Sequence, residues 1–201
     1  MPGALIAGLE RTPNDQIIPA RFFGESRDRQ VQGLFRDLRY DTERRLRPDF
    51  ALNQPAFANA RIVVAERNFG RGSSRETAVT VMVDNGFRAF IAPSFGDIFF
   101  NNCFQNGVLP IRLDAARVAT IRTALHVAPG ALLTIDLANQ TVVGPDGQTD
   151  RFEIDSFRKD WPSQGCRRNQ SHVRLRAGDR PLRGAPAPGA ELAVNWPGVG
   201  R

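Results

Sequence analysis

Between Asn68 and Glu76 the chain reads Asn-Phe-Gly-Arg-Gly-Ser-Ser-Arg-Glu, which sets two hydroxyls, Ser73 and Ser74, between two guanidinium groups, Arg71 and Arg75. Gly70 and Gly72 free the backbone at the same place. These types at this spacing suit the capture of an anion. The plainer reading is that the serines only cap a helix and Gly-x-Gly only makes a tight turn. No third glycine and no Gly-Lys-Ser/Thr follows, so neither a dinucleotide loop nor a phosphate loop is encoded.

What must position these residues lies on either side. Residues 62–65 (Ile-Val-Val-Ala) form a short apolar, β-branched run that reads as a buried strand. Ser73 or Ser74 followed by Glu76 reads as a helix start. A strand feeding a glycine turn and then a helix N-terminus leaves N–H groups facing solvent with partial positive charge behind them, a setting that holds anions. The helix, residues 77–83, is rich in β-branched side chains that favour a strand; the capping residues before it and Asn85-Gly86 after it decide for a helix.

The rest of the chain supplies a mixed β and α frame. Residues 4–9 are apolar and could open a sheet, residues 12–15 carry turn chemistry, and residues 16–19 read as a brief strand stopped by Pro19. Residues 24–48 are mostly charged, with anchors at Leu34, Phe35, Leu38 and Tyr40, and read as a long excursion over the surface. Residues 87–92 read as a strand, a helix is expected from Pro93 to about Gln105, and residues 108–111 as another strand. Asp114 caps a helix in which Val118, Ile121 and Leu125 face one way. Strand and helix in alternation imply right-handed crossovers and a largely parallel sheet. Residues 132–135, 141–143 and 152–154, with the turn Gly144-Pro145-Asp146-Gly147, read as an antiparallel or barrel-like element.

Composition bounds the function classes. At 201 residues and 41% hydrophobic the chain can bury one sizeable core. It has no apolar run long enough for a bilayer and no basic, apolar leader at Met1, so a cytoplasmic location and no membrane partner are expected. Cys103 and Cys166 stand far apart, which encodes neither a disulfide framework nor a metal site. Cys103 reads as a small buried hydrophobe, and His126 and His172 as structural or solvated. Of the net charge of +6, residues 161–201 carry +5, seven arginines against Asp179 and Glu191, leaving +1 for the body. That placement argues against nucleic acid as the body's partner. The tail also holds both tryptophans and a Pro/Gly/Ala stretch without helical or strand period, so residues 1–160 are expected to be the domain and residues 161–201 a disordered or atypical extension.

Several segments, in order, resemble the small subunit of isopropylmalate isomerase (3-isopropylmalate dehydratase) in the aconitase superfamily. They are Asp15-Gln16-Ile17-Ile18-Pro19, Pro48-Asp49-Phe50-Ala51-Leu52-Asn53-Gln54-Pro55, Asn68-Phe69-Gly70 with Gly72-Ser73-Ser74-Arg75-Glu76, Ile91-Ala92-Pro93-Ser94-Phe95 with Asp97-Ile98-Phe99, Asn101-Asn102-Cys103-Phe104, Asn106-Gly107 with Leu109-Pro110, and Phe152-Glu153-Ile154-Asp155 with Phe157-Arg158-Lys159. The resemblance implies an α/β fold, a swivelling β/β/α domain with a mixed sheet or barrel and flanking helices. It implies half of a hydro-lyase of leucine biosynthesis, active with a separate large subunit that carries a [4Fe–4S] cluster; no cofactor is expected in this chain. By the same resemblance Ser73 is the base, Asp15 an acidic active-site residue, Ser74 and Arg75 hold a substrate carboxylate, and Phe22, Phe23 and Gly24 help select the substrate side chain.

The chain departs from the family pattern at three places. Arg71 stands where the family has Cys, Thr77 where it has His, and Pro13-Asn14 where it has Asp-Thr. Arg71 adds a cation beside the base, which would either favour a further carboxylate on the substrate or misplace Arg75, and Thr77 removes a titratable ring, which would loosen the helix start. After Asp160 a basic tail replaces a short apolar segment, as a shifted reading frame or an acquired extension would. Two alternatives stand beside the isomerase: a dehydratase subunit for another hydroxy-dicarboxylate, and a non-catalytic paralogue that binds anionic polymers through its tail.

Overall fold

The computed structural model describes residues 4–6, 14–72 and 75–154, with residues 4–6, 14 and 15 as backbone alone. Ser73, Ser74, the turn residues Thr12 and Pro13, and the expected tail with Cys166 and His172 lie outside the described residues.

Four parallel strands, β1 (Ala4–Ile6), β2 (Ile62–Val64), β3 (Ala89–Ala92) and β4 (Leu109–Arg112), stand side by side in chain order. The register sets Ile62 beside Ala89 and Val64 beside Ile91, then Ala89 beside Leu109 and Ile91 beside Ile111. Because successive side chains point to opposite faces, these residues make one apolar face while Val63, Phe90 and Ala92 make the other. Both faces are covered, which is why the strands are uninterrupted apolar runs.

Residues 14–57 wrap the start of the sheet. They form α1 (Asn14–Ile17), a 3-10 turn (Ala20–Phe22), α2 (Arg27–Gln32), α3 (Arg36–Arg39) and two further 3-10 turns (Ala51–Asn53 and Pro55–Phe57). The strand expected at residues 16–19 is therefore a helical turn. Ile17 and Ile18 are adjacent yet both fully buried, which a strand's alternation would not allow on one face, and the Ile17 carbonyl accepts from the Phe35 N–H at 2.7 Å. The excursion over residues 24–48 is likewise more structured than its charge suggested: Leu34 and Phe35 are fully buried and seat the α2–α3 hairpin.

Beyond β2 come α4 (Thr77–Asp84), α5 (Asp97–Gln105) and α6 (Ala115–Val127). Helix α4 forms despite its β-branched residues because Ala78, Val79, Val81 and Met82 are buried together with Val63, Phe90, Phe99 and Cys103; packing overrides propensity. On the opposite face α6, capped by Asp114 accepting from the Ala116 N–H at 2.8 Å, buries Val118, Ile121 and Leu125. Helix α5 begins four residues later than expected from Pro93. Strands β5 (Thr134–Asp136), β6 (Thr141–Val143) and β7 (Thr149–Arg151) form an antiparallel sheet. The last of them precedes the expected 152–154, whose Phe152 instead plugs the core.

One buried cation ties α6 to this second sheet. Arg117 is 9% exposed; its guanidinium donates to Asp146 at 2.5 and 2.9 Å and to Asp150 at 2.5 Å. The hydrogen bonds from Arg117 hold the Asp146 carboxyl down at about 2, against an ordinary 3.8. A depressed folded value means the stabilisation is fully present above the unfolded value and is lost as pH falls toward 2. Arg117→Gln is expected to cost about 3 kcal/mol near neutral pH, since it strands two carboxylates. Thermal melts should show that gap narrowing between pH 4 and pH 2.

Candidate active site

The loops that leave β2 and β3 are zipped together beyond the ends of the strands. The Phe69 N–H donates to the Ser94 carbonyl at 3.1 Å, and the Gly96 N–H to the Phe69 carbonyl at 2.9 Å. Ser94 Oγ accepts from the Asn68 N–H at 2.9 Å and faces Asn68 Oδ1 at 3.3 Å. Residues 94–96 are thus held extended by a partner 26 residues earlier, which is why α5 starts only at Asp97. Ser94, expected to open that helix, is a positioning residue for the turn.

Under the turn lies an aromatic cluster. The Phe69 ring is fully buried, with centroids of Phe90, Phe99 and Phe95 at 5.7, 5.2 and 6.3 Å. Gly70 rests on the Phe99 ring at φ +72°: a Cβ there would stand 2.7 Å from Phe99 Cδ1 and nearer still to Cγ and Cδ2. A Cβ on Gly96 would stand 2.8 Å from the Gly70 carbonyl oxygen. Both glycines are required by close approach, and Gly70 also by its backbone angle. The main chain up to Gly72 is therefore fixed from below, while Arg71 and Gly72 are exposed above.

The far side of the serines is fixed as well. Glu76 is the N-cap of α4, and its Oε1 accepts from Asn106 Nδ2 at 2.8 Å. The same amide donates to the Asn102 carbonyl at 2.9 Å, so the start of α4 is tied to the end of α5. Arg75 places its guanidinium 4.3 Å from the centre of the Phe23 ring, a cation–π contact that holds the cation at the turn. Arg112, exposed at the end of β4, stacks on Phe100 at 4.1 Å and adds a further cation to this edge of the sheet.

The expected site residues thus fall into groups. Arg75 and Phe23 touch, and Arg71 stands on the same turn with its side chain exposed. Phe22 turns away from Phe23: its ring lies under Arg21 at 5.2 Å and fills the space a Cβ on Gly33 would need. Asp15 is in α1, where only the backbone is described. Ser73 and Ser74 lie between the two pinned ends and outside the described residues. Ser94, Asn106 and Arg112 carry no sequence signal as parts of a site; their roles depend on contacts far apart in sequence.

No cluster of three or more His, Cys, Asp or Glu exists among the described residues, and burial pushes the Cys103 thiol well above its ordinary value, which keeps it a protonated core residue. Nor does any described helix have the length and apolarity to cross a membrane. What the corner can do is hold an anion: the exposed guanidiniums of Arg71 and Arg75 stand on the segment that leads into the N-terminus of α4, at the carboxyl edge of a parallel sheet.

Comparison with known proteins gives concordant matches. Residues 11–116 match the aconitase C-terminal domain and residues 120–156 the model described as LeuD_N. The chain is 50% identical over 146 residues to the 3-isopropylmalate dehydratase small subunit of Nitrobacter winogradskyi, covering 72% of this chain and 73% of that one. It is 45% identical over 163 residues to the protein of the same name from Rhodospirillum centenum, covering 78% and 80%. In fold it is similar to the crystal structure of 3-isopropylmalate dehydratase (leuD) from Methanocaldococcus jannaschii, with TM-score 0.59, 22% identity, and coverage of 85% and 96%.

Proposed function

The chain belongs to the family of 3-isopropylmalate dehydratase small subunits, hydro-lyase components of leucine biosynthesis, and from that premise we propose that its serine turn performs the proton chemistry of the reaction. The interconversion of 2- and 3-isopropylmalate removes a hydrogen from one carbon and a hydroxyl from its neighbour, then returns water in the opposite sense. Ser73, ionised, takes the carbon-bound proton, and the electrons of that bond form the double bond as hydroxide departs. Ser74 and Arg75 hold the adjacent carboxylate, Arg71 offers a charge for the second one, and Asp15 completes the acidic side of the site. Phe23 sets an apolar wall beside Arg75 that suits the branched alkyl group of the substrate.

Departure of hydroxide calls for a Lewis acid. A cluster needs about three or four thiolates, and this chain has two cysteines, one of them sealed in the core. We assign that part to a [4Fe–4S]-bearing large subunit, paired with this chain as a heterodimer or heterotetramer in the cytoplasm. The observation that carries the reading is the pinning of the chain on both sides of Ser73-Ser74, with Arg75 locked over Phe23. Its test is co-expression with the large subunit and an assay for the absorbance of the unsaturated intermediate from 2-isopropylmalate. Turnover of that substrate is the expected result; turnover only of a hydroxy-dicarboxylate without an alkyl branch would reassign the substrate and the role of Phe23.

A further inference from the structure

A second gathering of cations, which shares no lining residue with the serine turn, is on the α2–α3 hairpin. Residues 20–48 hold eight arginines against five acidic residues, a local charge of +3, while the rest of residues 1–160 sums to −2. Five of those arginines, Arg21, Arg29, Arg36, Arg44 and Arg47, line one cleft of about 540 Å³. Its two carboxylates are already engaged. Asp37 is gripped by Arg21 through both oxygens, and Asp41 accepts from the N–H groups of Glu43 and Arg45 and from the Arg45 guanidinium. Arg29 reaches Glu25 at 3.4 Å. Among the described residues no carboxylate stands within ion-pair distance of Arg36, Arg44 or Arg47.

The cleft is also preformed. Leu34 and Phe35, between α2 and α3, are fully buried and fix the hairpin that carries it, and Asn53 Nδ2 donates to the carbonyls of Arg39 and Arg47, both at 2.8 Å, closing the hairpin. Its aromatic faces are taken: Arg36 lies 3.8 Å over the Tyr40 ring and Arg21 covers Phe22. A ligand would therefore be met by guanidinium forks rather than by ring stacking, and such forks match the oxygens of phosphates and carboxylates. The volume falls within the range of small-molecule sites. We propose that this cleft binds a small multivalent anion with two or more clustered phosphate or carboxylate oxygens, at a site separate from the serine turn.

Calorimetric titration of the full chain with inorganic pyrophosphate tests this. One saturable equivalent is expected, weakened tenfold or more in the double variant Arg44→Gln with Arg47→Gln. Both positions are exposed, so the core is left intact. Arg75→Gln, on the serine turn, and Arg151→Gln, on β7, should keep the wild-type affinity. Unchanged binding by the double variant would overturn the proposal. So would a loss in Arg75→Gln, which would move the anion to the serine turn, or an equal loss in Arg151→Gln, which would reduce the effect to net charge.

Discussion

Gly70→Ala is expected to destabilise the protein by about 3 to 5 kcal/mol, lowering the melting temperature by about 10 °C or more. Two costs add. Alanine at φ +72° is strained, and its methyl would enter the Phe99 ring, which is itself wedged among Phe69, Phe90 and Phe95. The ring has nowhere to retreat. Gly24→Ala separates the two costs, because Gly24 has a similar backbone angle, φ +84°, with nothing within 4 Å of an added Cβ. That variant should lose only about 1 kcal/mol. Equal losses in the two would mean that the contact with Phe99 contributes nothing.

Ser73→Ala is expected to lower kcat by about 10² to 10⁴ in the reconstituted enzyme, the span of a positioned base, with KM shifted little and the melting temperature kept. Ser74→Ala and Arg75→Gln should act differently, raising KM through loss of the carboxylate grip. A fall in KM and kcat together for Ser73→Ala would point to relieved ground-state strain rather than a missing base.

The parallel core was legible because its strands are short apolar runs closed by turn residues, as Val63 and Ile91 show. Helix α4 was legible through its Asn85-Gly86 end. At its start Glu76, without a side-chain cap bond, stands at the N-cap where Ser73 or Ser74 was expected, and the β-branched residues that argue for a strand are overridden by the burial of Val79 and Val81 beside Phe90. Helices α1 to α3 were not legible. They are four to six residues long, too short for periodicity to register, and are held by the buried side chains of Ile17, Ile18, Leu34 and Phe35. The shifted start of α5 depends on Ser94 pairing with Asn68, a contact without local signature. At the site, the residue types from Asn68 to Glu76 announced a reactive turn, yet the opposite headings of Phe22 and Phe23 are a product of tertiary packing against Gly33 and Arg75.

Thr77 and Arg71 bear on how this member of the family works. Thr77 opens α4 half-buried, so the helix start survives without a titratable ring there. Arg71 is exposed on the same turn, and under the proposed reading its charge would favour an ionised serine two residues on.

The claim that this subunit, not its partner, handles the carbon-bound hydrogen is tested most directly by hydrogen exchange. The reconstituted enzyme is incubated with isopropylmalate in deuterium oxide, and deuterium on the substrate carbons is followed by NMR. Wild-type enzyme should wash deuterium in, whereas the Ser73→Ala enzyme, shown to bind substrate, should leave those positions protiated. Exchange at the wild-type rate in the Ser73→Ala enzyme would contradict the account and place the base on the other subunit.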